Sequence, residues 1–244
     1  NTNSMVVPSG ASANLTTGNI ILDGNSSSSS IVNNGRDTVS EGQIISVMSG
    51  AKTTLGSGTT LRNNYNQHST GYGAYGGGIY IDGTSVVNMG SGVTISNCHG
   101  DWGGAVFAAS GSTFNMTGGT VTGCSALNTG YSKSASVRTN GGILNLSGGE
   151  ITGNTGNYAV TVDGSTGVLN LSGTINIHGN TAGGVDKEET AAKVNITGGA
   201  TVTGNTTSGG TTKNININAA GDSVNITGAL TGTLGITVTS GNHV

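Results

Sequence analysis

An apolar–Asn–apolar triplet recurs along this chain and restricts its fold more than any other feature. The copies are Val87-Asn88-Met89, Phe114-Asn115-Met116, Leu144-Asn145-Leu146, Leu169-Asn170-Leu171, Val194-Asn195-Ile196 and Val224-Asn225-Ile226, spaced 25 to 30 residues apart. A period of this length marks a repeat architecture, in which each unit buries its apolar face only by stacking on the next. A Ser/Thr/Gly bend, a second short apolar stretch and an Asn or Cys follow each triplet except the last, where the closing Asn is lost. Ile45 to Asn64 matches Ile79 to Cys98 position for position, with Thr54 where the triplet has Asn, and so adds a seventh coil.

Within the coil that starts at Ile79 the pattern predicts three short strands: Ile79 to Ile81, Val86 to Met89 and Val93 to Ile95. Alternation of period two puts Ile79, Ile81, Val87, Met89, Val93 and Ile95 on one face. Bends at Asp82-Gly83, Gly90-Ser91-Gly92 and Asn97-Cys98 separate the strands. The expected fold class is therefore all-β, a right-handed parallel β-helix (a solenoid) with about three short strands per coil. Right-handed winding is the default for parallel crossovers. One domain spans 1–244, with repeats over about 18–238. Residues 1–17, which hold the only proline, Pro8, are expected to be a leader or N-terminal cap. The polyserine run at 26–30 reads as a loop, and the charged run Asp186 to Lys193 as a loop or helical turn projecting from the stack. The start at Asn1 and the end at Val244 without a polar cap suggest a piece of a longer protein.

Composition narrows the class further. With 46 glycines but one proline and no Gly-X-Y period, collagen is excluded. Only 8% of residues are charged and a third are apolar, which does not fit a charged disordered chain. The eight Lys and Arg form no basic stripe, so nucleic acid is not an expected partner. No apolar run is long enough to span a membrane, and a monomer is expected.

Two ladders follow from the repeat. The triplet residues Asn88, Asn115, Asn145, Asn170, Asn195 and Asn225 lie between inward apolar neighbours, so they point outward and can hydrogen-bond along the stack. The second set, Asn64, Cys98, Cys124, Asn154, Asn180 and Asn205, closes each third strand, where Asn tolerates the left-handed conformation and satisfies backbone groups. Cys98 and Cys124 occupy adjacent rungs. In-register side chains point the same way, which opposes a disulfide, so two buried thiols are expected.

Aromatic residues form a further pattern. Tyr72, Tyr75, Trp102, Tyr131 and Tyr158 all fall between the Asn/Cys bend and the next first strand. Stacking would align these connections along one edge. With Asp101, His99 and Asn157 beside them, the rings would make a platform for sugar rings or a protein. The structural alternative is that they fold over the Gly-Gly pairs and shield the core.

No catalytic set is legible. His99 and Asp101 are close in sequence, but nothing supplies a third group. An acid–base pair needs two positioned carboxyls, and six of the eleven acids here are Asp-Gly turns at Asp23, Asp82 and Asp163 or the charged run at 186–189. No metal site or cofactor is expected.

The stretches GGGIYIDGTSVVNMGSGVTISNC, GGAVFAASGSTFNMTGGTVTGC and GGILNLSGGEITGN resemble the right-handed parallel β-helix repeats of bacterial adhesin-like surface proteins. The Gly-Gly-apolar pattern is also similar to that of polymorphic outer membrane proteins, although Phe114 is followed directly by Asn115 where that group has Phe-x-x-Asn. The resemblance covers about 45 to 230. It implies a noncatalytic adhesin or stalk module at the bacterial cell surface, touching a glycan or protein of a host or neighbouring cell. The same superfold hosts pectate-lyase-like and polygalacturonase-like enzymes, so a polysaccharide-processing enzyme is the alternative. Their acid clusters and Gly-His-Gly are missing, since His178-Gly179 follows Ile177. A pure spacer is the third reading.

Overall fold

The computed structural model describes residues 5–24, 32–33, 42–68, 73–128, 134–217 and 222–238. These residues are all strand, bend and turn, with no helix, and the strands form two large parallel sheets. Among the described residues no helix is long and apolar enough to cross a membrane.

The first sheet has nine strands in chain order: Met5–Val7, Ile45–Val47, Ile79–Ile81, Val106–Ala108, Ala135–Asn140, Tyr158–Asp163, Val185–Lys187, Ile215–Ile217 and Ile236–Val238. The second has fifteen strands, and its main path also runs in repeat order, from Ser12–Leu15 and Lys52–Leu55 to Asn225–Leu230. Strands such as Ile20–Asp23, Thr94–Gly100 and Asn176–His178 lie off that path; the first pairs with Thr59–His68, and the other two pair in part with Thr113–Thr122 and Ile143–Thr152 of the path itself. Thr113–Thr122 and Ile143–Thr152 run through both positions without a break.

Register puts equivalent residues of successive repeats side by side. Leu55, Met89, Met116, Leu146, Leu171 and Ile196 form one column. Leu61, Ile95, Val121, Ile151, Ile177 and Val202 form another. Ile45, Ile79, Val106, Val137, Val160, Val185 and Ile215 form the third, on the nine-stranded sheet. All three columns are buried in one apolar cluster. The matched aliphatic side chains bury each other rung by rung, which is the main source of stability in such a stack.

Two expectations are corrected. Residues 5–17 are not a leader laid over the first coil. Met5–Val7 pairs with Ile45–Val47 and Ser12–Leu15 with Lys52–Leu55, so Ala13-Asn14-Leu15 is itself a triplet of the stack. The charged run does not project either. Val185–Lys187 is a buried strand of the nine-stranded sheet. Lys187 stands in register with Val162 and Ile217, and its ammonium meets Asp222 at 2.5 Å with both side chains buried. The polyserine run lies outside the described residues.

Candidate ligand-binding face

The triplet amides form a continuous row, half-buried from Asn88 to Asn195 and exposed at Asn225. Asn115 Nδ2 donates to Asn88 Oδ1 at 2.8 Å, Asn145 to Asn115 at 2.8 Å, Asn170 to Asn145 at 2.7 Å, Asn195 to Asn170 at 2.8 Å and Asn225 to Asn195 at 3.1 Å. Asn115, Asn145, Asn170 and Asn195 each donate to one neighbour and accept from the other, so the interior of the row is satisfied along the stack.

The second set is buried. Asn180 Nδ2 donates to the carbonyls of Ile151 and His178 and to Asn205 Oδ1. Asn154 and Asn205 repeat this, donating to Val121 and Thr152 and to Ile177 and Thr203. Asn214 ends the series by accepting the Asn205 backbone N–H at 2.9 Å. Asn64 donates to the carbonyls of Gly42 and Gly77. The left-handed conformation belongs to the preceding position, not to this set: Asn63 (φ 55°), Asn97 (51°), Gly123 (63°), Gly153 (65°), Gly179 (61°) and Gly204 (65°). Only Gly and Asn take that conformation readily, which explains the residue types there.

Cys98 and Cys124 are free and buried. The Cys124 sulfur takes the role of an amide, accepting the Cys98 backbone N–H at 3.5 Å and lying against the carbonyls of Ile95 and Thr122. Its hydrogen bond with Cys98, together with burial, pushes the Cys98 thiol well above its ordinary value.

The aromatic residues are placed differently from an exposed platform. Trp102 is 9% exposed and Tyr158 3%. The Arg138 guanidinium lies 4.4 Å from the Trp102 ring centroid, and Lys213 Nζ lies 4.0 Å from that of Tyr158. Asp101 is fully buried and accepts the Ala74 backbone N–H. These three side chains face the protein, which corrects the expectation that they form an open edge. Tyr72 and Tyr131 lie outside the described residues.

The cause is a second layer. In each short strand of the nine-stranded sheet the outer residues enter the core, so the middle one points to the opposite face. Register aligns these middle residues as Tyr80, Phe107, Arg138, Thr161, Asp186 and Asn216. All six are buried. At one end Tyr80, Phe107 and Trp102 make a small apolar cluster of their own, with Tyr75 and Ala109 packed against it. Next to it, Arg138 meets Asp163 at 2.5 Å, and burial pulls the guanidinium down from its ordinary value while Asp163 opposes that. Further along, Asn216 Nδ2 donates to Asp186 Oδ1 at 2.7 Å and to the Tyr158 hydroxyl at 2.6 Å. Burial, reinforced by nearby Glu188, pushes the Asp186 carboxyl up to about 7.

Two clefts open on this layer. One, of about 280 Å³, is lined by Tyr75, Tyr80, Phe107, Ala109, Ser110 and Asn140. Tyr80 stacks on Phe107, with centroids 6.1 Å apart at 17°, and Tyr75 tilts onto Phe107 at 4.5 Å. Tyr75 is only half-buried. The other cleft, of about 340 Å³, runs past Asn157, Tyr158, Thr207, Ser208 and Lys213. The first offers aromatic faces beside hydroxyl and amide groups, a combination suited to a ring with one apolar face and polar edges. Of the candidates named from sequence, Tyr75 alone lines it. Tyr80 and Phe107 were missed, although their shared position two or three residues after a Gly-Gly pair was visible in the sequence.

Among the described residues, no group of three His, Cys, Asp or Glu side chains gathers to hold a metal ion. In comparisons with protein-family models, curated proteins and solved structures, nothing matches this chain.

Proposed function

We propose that this chain is a stretch of right-handed parallel β-helix, about three short strands per coil, from a bacterial cell-surface adhesin or stalk. Its work is display. The rigid stack holds a binding face outward for a glycan of a host or neighbouring cell. The observation that carries the reading is the cleft of Tyr75, Tyr80, Phe107, Ser110 and Asn140 on the outer face of the nine-stranded sheet. A pyranose laid on the half-buried Tyr75 ring would place its C–H face against π density and its hydroxyls towards Ser110 and Asn140. The polysaccharide-processing alternative is less well supported. Asp186, whose carboxyl burial pushes up to about 7, is fully buried beside Tyr158 and Asn216, and a general acid must reach the glycosidic oxygen.

A glycan array probed with the purified chain tests this reading. Retention of pyranose-containing glycans supports it. A silent array, with the chain folded, favours the spacer.

A further inference from the structure

We propose that Ser125 and His99 form a nucleophile–base pair that accepts a small acyl group from a carboxylic ester. This goes beyond display at the aromatic cleft and does not rest on it.

The pair is made by register. His99, in Thr94–Gly100, stands opposite Ser125 in the next rung, and His99 Nδ1 lies 2.7 Å from Ser125 Oγ. His99 Nε2 lies 3.0 Å from Asn97 Oδ1. Asn97 Nδ2 donates to Asn63 Oδ1 at 2.9 Å, and Asn63 Nδ2 reaches the Asp23 carboxylate at 3.2 Å. Asp23 is itself paired with Arg62 at 2.8 Å.

This chain fixes the histidine tautomer. The ionised Asp23 can only accept, so the end of Asn63 that faces it must be the NH₂. Asn63 then turns its oxygen to Asn97, and Asn97 turns its oxygen to His99. The imidazole must donate from Nε2, which leaves Nδ1 as an acceptor for the Ser125 hydroxyl. A serine donating to a neutral imidazole held by a third group is the arrangement that activates a hydroxyl for attack. Burial lowers the proton affinity of His99, which keeps the ring neutral. The Tyr65 ring tilts against the imidazole, with centroids 5.6 Å apart.

In the step itself, Ser125 Oγ bonds to the acyl carbon as the bond from that carbon to the alkoxy oxygen breaks. The Oγ proton moves to His99 Nδ1 and from there to the departing alkoxide. An ester and the serine thus become acyl-serine and an alcohol, with nothing oxidised or reduced. Ser125 keeps only 9% of its surface exposed, so the acyl group must be small.

The full chain incubated with p-nitrophenyl acetate, then mapped by peptide mass spectrometry, provides the test. The expected result is one acetyl group on Ser125, none there in Ser125→Ala, and acylation slowed by at least about 100-fold in His99→Gln. Asn97→Asp reads the positioning role separately. A carboxylate facing Nε2–H favours the imidazolium, so the pH of half-maximal acylation rises, whereas a purely structural role for Asn97 would leave it in place. The proposal is overturned if Ser125 stays unmodified while lysines are acetylated, or if acylation at Ser125 proceeds equally in His99→Gln.

Discussion

Asn180 Oδ1 accepts both the backbone N–H of Asn154, at 3.0 Å, and its side-chain Nδ2, at 2.9 Å. One amide thus closes two donors of the rung below while its own Nδ2 serves the rung above and two carbonyls. Asn180→Ala strands several fully buried polar groups, each costing about 1–3 kcal/mol. The expected loss is about 3 kcal/mol in chemical denaturation. Asn170→Ala, in the half-buried outer row, should cost only about 1 kcal/mol. Equal losses would mean that the inner set is not the stronger clamp.

Cys124 occupies an amide position with a weaker hydrogen-bonding group. Cys124→Asn would give the Cys98 N–H an oxygen acceptor and supply an N–H donor to the carbonyls of Ile95 and Thr122. The variant should gain about 1 kcal/mol, raising Tm by about 2–4 °C. A lowered Tm would show that this rung is too tight for the amide.

Arg138 is held between Asp163 and the face of Trp102, the only tryptophan. Asp163→Asn leaves a buried guanidinium without its counter-charge, at a cost of about 3–5 kcal/mol. Release of the stack should also shift tryptophan emission to longer wavelength. Unchanged emission and stability would remove the ion pair from the account.

Asp186 makes stability depend on pH. Its folded-state proton affinity is raised from 3.8 to about 7, so folding favours the protonated form. The native state is most favoured below about pH 4, loses stability as pH rises towards 7, and levels off above. The span corresponds to at most about 4 kcal/mol. Asp186→Asn removes this slope. Its Tm should match the parent near pH 4 and exceed it at pH 8. The same difference at both pH values would contradict the burial argument.

Much of the fold was legible because the inner columns leave a direct trace in sequence. Alternation named Ile79, Met89 and Ile95 as inward, and the match of Ile45 to Asn64 with Ile79 to Cys98 reappears as register. The first rung was not legible, because Asn14 and Thr54 are 40 residues apart, longer than the period elsewhere. The second layer was hidden for another reason. Alternation marks Tyr80, Phe107, Arg138 and Asp186 as outward, and outward is ordinarily solvent. Here the connections fold back over them, which reverses the exposure expected of Trp102 and Tyr158. The Ser125–His99 pair joins residues 26 positions apart in the chain, a separation that becomes adjacency only once the register of two rungs is fixed.

The most direct test of display at the aromatic cleft is a calorimetric titration of an array-identified glycan against the parent chain and Tyr75→Ala. Half-buried Tyr75 lies outside the aliphatic columns, so the variant should stay folded, with the loss of its contact on Phe107 lowering Tm by only about 2–4 °C. The account predicts affinity weakened at least about tenfold, the effect of about 1.4 kcal/mol from one lost aromatic face. Equal affinities in two equally folded proteins would contradict it.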